Sequence, residues 1–169
     1  MSADEPARSL ADPSELLQAY LDYYRDALLR KLEGLQEPDL RRSVVPSGWT
    51  PLELLVHLTW VERRWFRWGF AGEPTDEPWG DQGPDGRWYA PTDETPQTMI
   101  AEFLDESASS RQIVAGVPLS RRAQTGGRFA TEADAPALAW ILFHVLQEYA
   151  RHVGHLDIVR ELIDGTVGE

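Results

Sequence analysis

Three helix-start signals are the sequence features that most strongly constrain the fold of this chain. Each is a capping residue followed by proline: Asp12-Pro13, Thr50-Pro51 and Thr95-Pro96. A capping side chain accepts hydrogen bonds from the free amides at a helix N-terminus, and proline is tolerated at the first helical position. Apolar residues follow the first and third signals at spacings of three and four, which is typical of helices with one buried face. The signals therefore predict a helical fold.

The predicted helices leave two long connections between them. They run from Pro13 to about Gly34, from Pro51 to about Trp68, from Thr95 to about Gly116 and from about Asp134 to about Asp164. Residues 69–94 and 117–134 form the long loops, and a length of 169 residues suits one domain. We predict a single all-α domain over residues 1–169, a four-helix bundle with long crossover loops, in which residues 1–11 are flexible.

The first long loop is rich in Gly, Pro and Asp, yet it carries Trp79, Trp88 and Tyr89. Long loops in compact domains are uncommon and often functional. Aromatic residues on this loop indicate either a flap packed over a bound molecule or a plug for the open end of the bundle.

Charge and cysteine content narrow the class of partner. The net charge of -12 argues against nucleic acid and anionic membranes, and favours a small molecule or another protein. The chain has no cysteine, so any thiol chemistry must use sulfur supplied by a cosubstrate. No signal peptide or membrane-spanning run is evident, so the cytoplasm is the predicted location.

Three of the four histidines lie close together near the C-terminus with one glutamate. On a helix, His144, Glu148, His152 and His155 would fall within roughly 80° of one face. The remaining histidine, His57, lies in the second predicted helix and would reach the cluster from across the bundle. A histidine alone is more often a hydrogen-bonded core residue than a ligand, but the cluster makes a metal site the sharper hypothesis.

The cluster faces the predicted interior, because apolar residues occupy the same arc of the helix. An unpaired carboxylate at Glu148 would be costly to bury there. A bound cation would remove that cost, and so would an ion pair with Arg64 or Arg151. The sequence leaves these alternatives open.

The ligand set His57, Glu148 and His152 would leave one coordination position free, as in catalytic rather than structural zinc sites. Zinc is the leading candidate, and two imidazoles with one carboxylate also suit Fe(II), Ni(II) and Mn(II). His144 or His155 could be an additional ligand, a hydrogen-bond partner of a ligand, or a proton carrier. Glu53 is a further candidate for orienting a metal-binding histidine.

Two segments carry a resemblance to a known family: Trp49-Thr50-Pro51-Leu52-Glu53-Leu54-Leu55-Val56-His57-Leu58 and Glu148-Tyr149-Ala150-Arg151-His152-Val153-Gly154-His155. The chain resembles the DinB/YfiT-like superfamily, in particular an actinobacterial branch, over roughly residues 12–165. The resemblance implies a metal-binding four-helix bundle. His57 and His152 match the first and last family ligands, and Glu148 stands in place of the usual middle histidine, as in mycothiol-dependent maleylpyruvate isomerase.

The resemblance also implies an activity. Members use mycothiol, bacillithiol or glutathione, so the chain is similar to low-molecular-weight thiol S-transferases or isomerases that serve detoxification and stress responses. His155, His144 and Arg64 are then the candidate catalytic residues. Residues that would hold the thiol cosubstrate, or cover the electrophile, are Arg121, Arg122, Arg128 and Trp88.

Two other classes of function fit the same residues. A metal-assisted hydrolase would use the free coordination position to activate water, and would need no thiol. A non-catalytic bundle would use its pocket or a tryptophan-rich surface for binding. The second helix carries Trp60, Trp65, Trp68 and Phe70, an aromatic load that favours a ligand pocket or a homodimer face. We predict a homodimer.

Overall fold

A computed structural model of the chain describes residues 5–168. The helices are α1 (Pro13–Leu32), α2 (Glu37–Leu40), α3 (Pro51–Glu62), α4 (Pro96–Val114) and α5 (Leu138–Asp164), and a π-helical segment, Arg63–Phe70, continues α3. The described residues contain no β-strand, only two isolated bridges. The predicted all-α fold is confirmed. The flexible segment predicted at residues 1–11 lies partly outside the described residues.

The three predicted helix-start signals are confirmed by their capping contacts. Asp12 accepts hydrogen bonds from two amides of the first turn of α1, and Thr95 caps α4 through the amide of Thr98. At α3, the Thr50 side chain accepts from the amide of Glu53, whose carboxylate accepts from the amide of Thr50 at 2.8 Å. This reciprocal pair satisfies two otherwise free donors.

Helix α5 begins at Leu138, four residues later than predicted. Pro136 disfavours a helical conformation in the residue before it. The backbone around it pairs instead with the preceding loop: the amide of Ala123 donates to Pro136 at 2.9 Å, and that of Leu138 donates to Arg121 at 2.8 Å. These bonds hold the second long loop against the start of α5.

The second predicted helix changes its winding before it ends. The amide of Ala71 donates to the carbonyl of Phe66 at 2.8 Å, a step of five residues instead of four. Gly69 permits this close winding, because a Cβ there would lie 2.9 Å from the carbonyl oxygen of Arg64. Such π-helical turns often occur at functional sites. Here the segment directs Arg64 and Trp65 into the bundle, where both are buried.

The core lies between α1, α3, α4 and α5, with α1 packed on α5 and α3 packed on both α4 and α5. Its largest fully buried side chains include Leu21, Leu28, Leu54, Leu55, Leu58, Phe66, Met99, Phe103, Leu138, Ile141 and Tyr149. An ionic network lies inside this core: Arg25 donates to both carboxylate oxygens of Glu62, and the hydroxyl of Tyr149 donates to Glu62 at 2.7 Å. These contacts tie α1, α3 and α5 together.

The aromatic residues of the second predicted helix mostly pack against other residues of the same chain. Trp65 and Phe70 are buried, while Trp60 packs against Gly80 of the first long loop. The most exposed aromatic rings lie instead on α5, at Trp140 and Phe143. The homodimer stays a prediction. Among residues 5–168, none of the helices combines the length and apolar character needed to cross a membrane.

Candidate functional site

The contact between α3 and α5 brings together His57, Glu148 and His152. One donor atom from each lies within 4.8 Å of those of the other two. His152 is buried, and the other two side chains are half-buried. The spacing of four residues places Glu148 and His152 side by side on α5, and the packing of α3 supplies His57. Two imidazoles and one carboxylate therefore converge at one point, as the sequence predicted.

Glu148 contacts two histidines and neither candidate arginine. Its Oε2 lies 3.2 Å from Nε2 of His152, and its Oε1 lies 3.5 Å from Nε2 of His144. The hydrogen bond with His152 is the main reason that the pKa of Glu148 is lowered. The carboxylate is therefore ionised near neutral pH. The ion pair with Arg64 that the sequence left open is absent, because Arg64 binds another carboxylate.

That carboxylate is Asp81, which lies behind His57. Its Oδ2 is 2.9 Å from Nδ1 of His57, and its side chain is completely buried. Arg64 donates to both of its oxygens, at 2.6 and 3.0 Å. Burial raises the pKa of a carboxyl group, but the hydrogen bonds from His57 and Arg64 outweigh it and lower the pKa of Asp81. Asp81 is thus an ionised acceptor.

An ionised acceptor behind the ring determines the tautomer of His57. A carboxylate can only accept, so Nδ1 of His57 carries the proton and Nε2 keeps its lone pair. Burial lowers the pKa of His57, and the hydrogen bond to Asp81 offsets this only in part. The imidazole is therefore neutral near pH 7, with Nε2 available as a ligand. A carboxylate that orients a metal-binding histidine is a common arrangement.

A short hairpin, residues 81–89, holds His57 from two directions. It is closed by bonds from the amide of Tyr89 to the carbonyl of Asp81 and from that of Gly83 to Arg87, both 2.8 Å. At one end Asp81 binds Nδ1 of His57, and near the other the indole of Trp88 stacks on the imidazole at 4.2 Å between ring centroids. Trp88 therefore covers the histidine, as a flap would, whereas Trp79 and Tyr89 are exposed.

The hairpin contains the functional residue that sequence reasoning missed. Glu53 and His144 were the predicted partners of a metal-binding histidine, but Glu53 caps α3 and His144 contacts Glu148. Asp81 holds His57 instead. The only signal for Asp81 was its place among the aromatic residues of a long loop, and many acidic residues share that loop. Its burial depends on how the loop packs.

Comparison with protein families bears on the chain as a whole. A family model described as mycothiol-S-transferase matches residues 16–165. The chain belongs to the mycothiol-S-transferase family. The comparison with curated proteins gives no match. The family match spans most of α1, all of α3, α4 and α5, and every residue of the site, and it supports the predicted relation to DinB-like mycothiol enzymes.

In this member of the mycothiol-S-transferase family, two further histidines flank the three converging residues. His144 packs against the rings of Trp65 and Trp140, at centroid distances of 4.3 and 5.1 Å. His155 lies 5.5 Å from His152 between ring centroids. Burial lowers the pKa of both His144 and His155. Both rings are therefore neutral near pH 7 and are chemically able to accept a proton.

The arginines suggested for a mycothiol-S-transferase site lie in different places. Arg64 is buried against Asp81, and the guanidinium of Arg128 stacks on Trp65 at 4.0 Å. Burial lowers the pKa of Arg128, and its Nη1 has no hydrogen-bond partner among the described residues. Arg121 and Arg122 are exposed on the second long loop. Within residues 5–168 neither contacts the three converging residues.

Proposed function

We propose that the chain is a divalent-metal-dependent thiol S-transferase that uses mycothiol. The convergence of His57, Glu148 and His152, with Asp81 orienting His57, is the observation that supports this proposal most directly. Membership of the mycothiol-S-transferase family supports mycothiol as the cosubstrate and thiol transfer as the reaction type. The absence of cysteine from the chain fits a reaction in which the cosubstrate brings the sulfur.

The donor set fits a divalent ion in three respects. Two imidazoles and an ionised carboxylate suit zinc, the leading candidate, as well as Ni(II), Mn(II) and Fe(II). Three protein donors leave room for an exchangeable ligand. Nδ1 of His152 is buried without a hydrogen-bond partner in the described part of the chain, as expected at a site that a bound ion or water completes.

The reaction transfers sulfur to an electrophilic carbon. A sulfur–carbon bond forms, the bond between that carbon and its leaving group breaks, and the leaving group keeps the electron pair while the thiol loses its proton. A divalent ion held by the three donors would supply Lewis acidity that favours the thiolate at neutral pH. His144 and His155, both neutral, are the proposed acceptors of the thiol proton.

The remaining candidates receive different roles. Trp88 shields His57 from water and presents an apolar wall to the electrophile. Arg64 positions Asp81, because its terminal nitrogens bind that carboxylate. Arg128, next to His144 and with an unpaired nitrogen, would bind a carboxylate of the electrophile. Arg121 and Arg122, exposed on the second loop, would contact only a large cosubstrate.

Thioether formation tests the proposed function. We expect the zinc-loaded protein to join mycothiol to 1-chloro-2,4-dinitrobenzene faster than the uncatalysed reaction, measured by absorbance of the product. His152→Ala should lower kcat/KM by roughly 100-fold or more, because it removes a proposed metal ligand. Glu161→Ala, an exposed change on the same helix, should leave the rate unchanged.

Two results would contradict the proposal. Release of dinitrophenol without any thiol would instead support a metal-assisted hydrolase. No product above background with mycothiol, bacillithiol or glutathione, after loading with each of the four candidate metals, would support a non-catalytic bundle.

Asp81→Asn tests the orientation of His57. The substitution replaces the ionised carboxylate behind Nδ1 of His57 by a neutral amide. We therefore expect metal affinity to fall about 10- to 100-fold, as is common when such hydrogen-bond partners of a ligand are lost. Competition with a chromophoric chelator measures the affinity. Asp76→Asn, an exposed change in the same loop, is the matched control. Equal affinities in the two variants would show that Asp81 does not support the metal site.

A further inference from the structure

One face of α3 and its π-helical continuation contacts the turn that ends at Asp81, residues 78–81. The side chains on this face are His57, Trp60 and Arg64, which are spaced by three and four residues. Each of them contacts a different part of the turn, through hydrogen bonds or through close packing. The position of Asp81 therefore depends on contacts along the whole turn, and not only on its own hydrogen bonds.

Arg64 contacts both ends of the turn. Besides its two bonds to Asp81, it donates to the carbonyl of Pro78 at 3.3 Å. Its guanidinium also lies over the ring of Trp79, at 4.6 Å from the centroid. Trp79 is exposed, whereas Arg64 is buried, so this indole covers the ion pair that lies behind His57.

Gly80, in the middle of the turn, has no room for a side chain. A Cβ there would lie 2.7 Å from two carbons of the Trp60 ring and closer still to a third. Carbon atoms in contact normally lie about 3.5–4.0 Å apart, so either the ring or the turn would have to move. Gly80 does not have a positive φ, so this position needs glycine for the space and not for the backbone conformation.

The ring of Trp60 is held on the protein by other contacts. The guanidinium of Arg63 lies over it at 4.4 Å from the centroid, and Arg63 donates to the buried Glu106 of α4 at 2.9 Å. The ring also packs against the hydrophobic core. A side chain added at Gly80 would therefore displace the turn rather than the ring, and would move Asp81 with it.

We propose that Gly80 and Trp60 are positioning residues for His57, because their close contact holds Asp81 within reach of Nδ1 of that histidine. The proposal rests on the proposed metal site, since it concerns the orientation of one of the metal ligands. Neither Gly80 nor Trp60 is among the three converging donors. A change at either position therefore acts on a bound metal only through Asp81 and His57.

Nitrogen NMR of the metal-free protein tests the proposal without any bound ion. Two-bond correlation spectra between ring protons and ring nitrogens show which nitrogen of His57 carries the proton. We expect the proton on Nδ1 in the wild-type protein and a mixture of both tautomers in Gly80→Ala, because the acceptor is displaced. Gly83→Ala is the matched control in the same hairpin, since a Cβ there would meet only the exposed side chain of Asp85 closely, at 3.3 Å. It should keep the wild-type tautomer.

Zinc affinity, measured by competition with a chromophoric chelator, gives the second readout. Gly80→Ala should weaken zinc binding about 10- to 100-fold, as Asp81→Asn should, because both changes remove the acceptor from Nδ1. Trp60→Leu should weaken it less, since leucine leaves room without pushing the turn away. The double variant Trp60→Leu/Gly80→Ala should bind zinc as tightly as Trp60→Leu alone, because the added Cβ then has no ring to meet.

Three results would overturn the proposal. The first is a wild-type tautomer and zinc affinity in Gly80→Ala, and the second is an equal change in Gly83→Ala. The third is a double variant whose loss equals the sum of the two single losses, because the cost at Gly80 would then not come from the ring of Trp60. If circular dichroism shows that Gly80→Ala does not fold, the comparison of Trp60→Leu with the double variant still decides.

The positioning proposal and the proposed function can fail separately. If the wild-type protein binds no divalent metal but its His57 tautomer depends on Gly80, the metal-dependent function is wrong and the positioning role stands. If the protein binds metal and transfers thiols, but Gly80→Ala changes neither tautomer nor affinity, the function stands and the positioning role is wrong.

Discussion

His152→Ala should leave the protein with almost no bound divalent metal, whereas the wild-type chain retains about one ion. His152 is buried at the contact of α3 and α5, and its ring lies 5.0 Å from that of His57 between centroids. Removing His152 leaves two of the three proposed metal donors. We therefore expect metal affinity to fall by more than about 100-fold, a larger loss than that expected when a hydrogen-bond partner of a ligand is changed, as in Asp81→Asn. Elemental analysis of tag-free protein measures the metal content.

A matched control lies three residues further along the same helix. His155 is half-buried and approaches His152, but it is not one of the three converging donors. We expect His155→Ala to keep its metal and His57→Ala to lose it. If all three alanine variants lose metal equally, the ligand assignment is wrong. If wild-type protein binds none of Zn, Ni, Mn or Fe(II), the metal-dependent function is wrong.

Of the variants proposed for this protein, Glu62→Ala should cause the largest loss of stability. The carboxylate is fully buried and accepts hydrogen bonds from Arg25 at 2.8 and 2.9 Å and from Tyr149 at 2.7 Å. Removing it leaves Asp22, at 2.7 Å and partly exposed, as the remaining carboxylate partner of the buried Arg25, and it leaves the hydroxyl of Tyr149 without its acceptor. Breaking a buried ion pair typically costs about 3–5 kcal/mol of unfolding free energy. Guanidinium denaturation monitored by circular dichroism measures this loss.

Two further variants distinguish a lost ion pair from a lost contact. The exposed change Glu161→Ala should alter stability by less than about 0.5 kcal/mol. The double variant Arg25→Met/Glu62→Leu removes both charges together, and we expect it to recover most of the stability. If Glu62→Ala alone costs less than about 1 kcal/mol, the existing bond from Arg25 to Asp22 compensates its buried charge. The network would then not stabilise the packing of α1, α3 and α5.

The helices were predictable because their signals are local. Capping at Asp12, Thr50 and Thr95 depends on residues within one turn, and each start was predicted correctly. The start of α5 was predicted four residues early, since the backbone around Pro136 pairs with Arg121 and Ala123 of the preceding loop instead of continuing the helix.

The residues of the candidate site also differ in whether local signals predict them. Helical periodicity alone placed Glu148 and His152 on one face, because a step of four residues is nearly one turn. Periodicity could not identify Asp81, because its role depends on a hairpin that packs against α3 and on Arg64, whose direction is set by the π-helical segment. The sequence by itself determined the helices and the donor types. Only tertiary packing, which brings together residues distant in the chain and excludes water from them, decided which carboxylate orients His57.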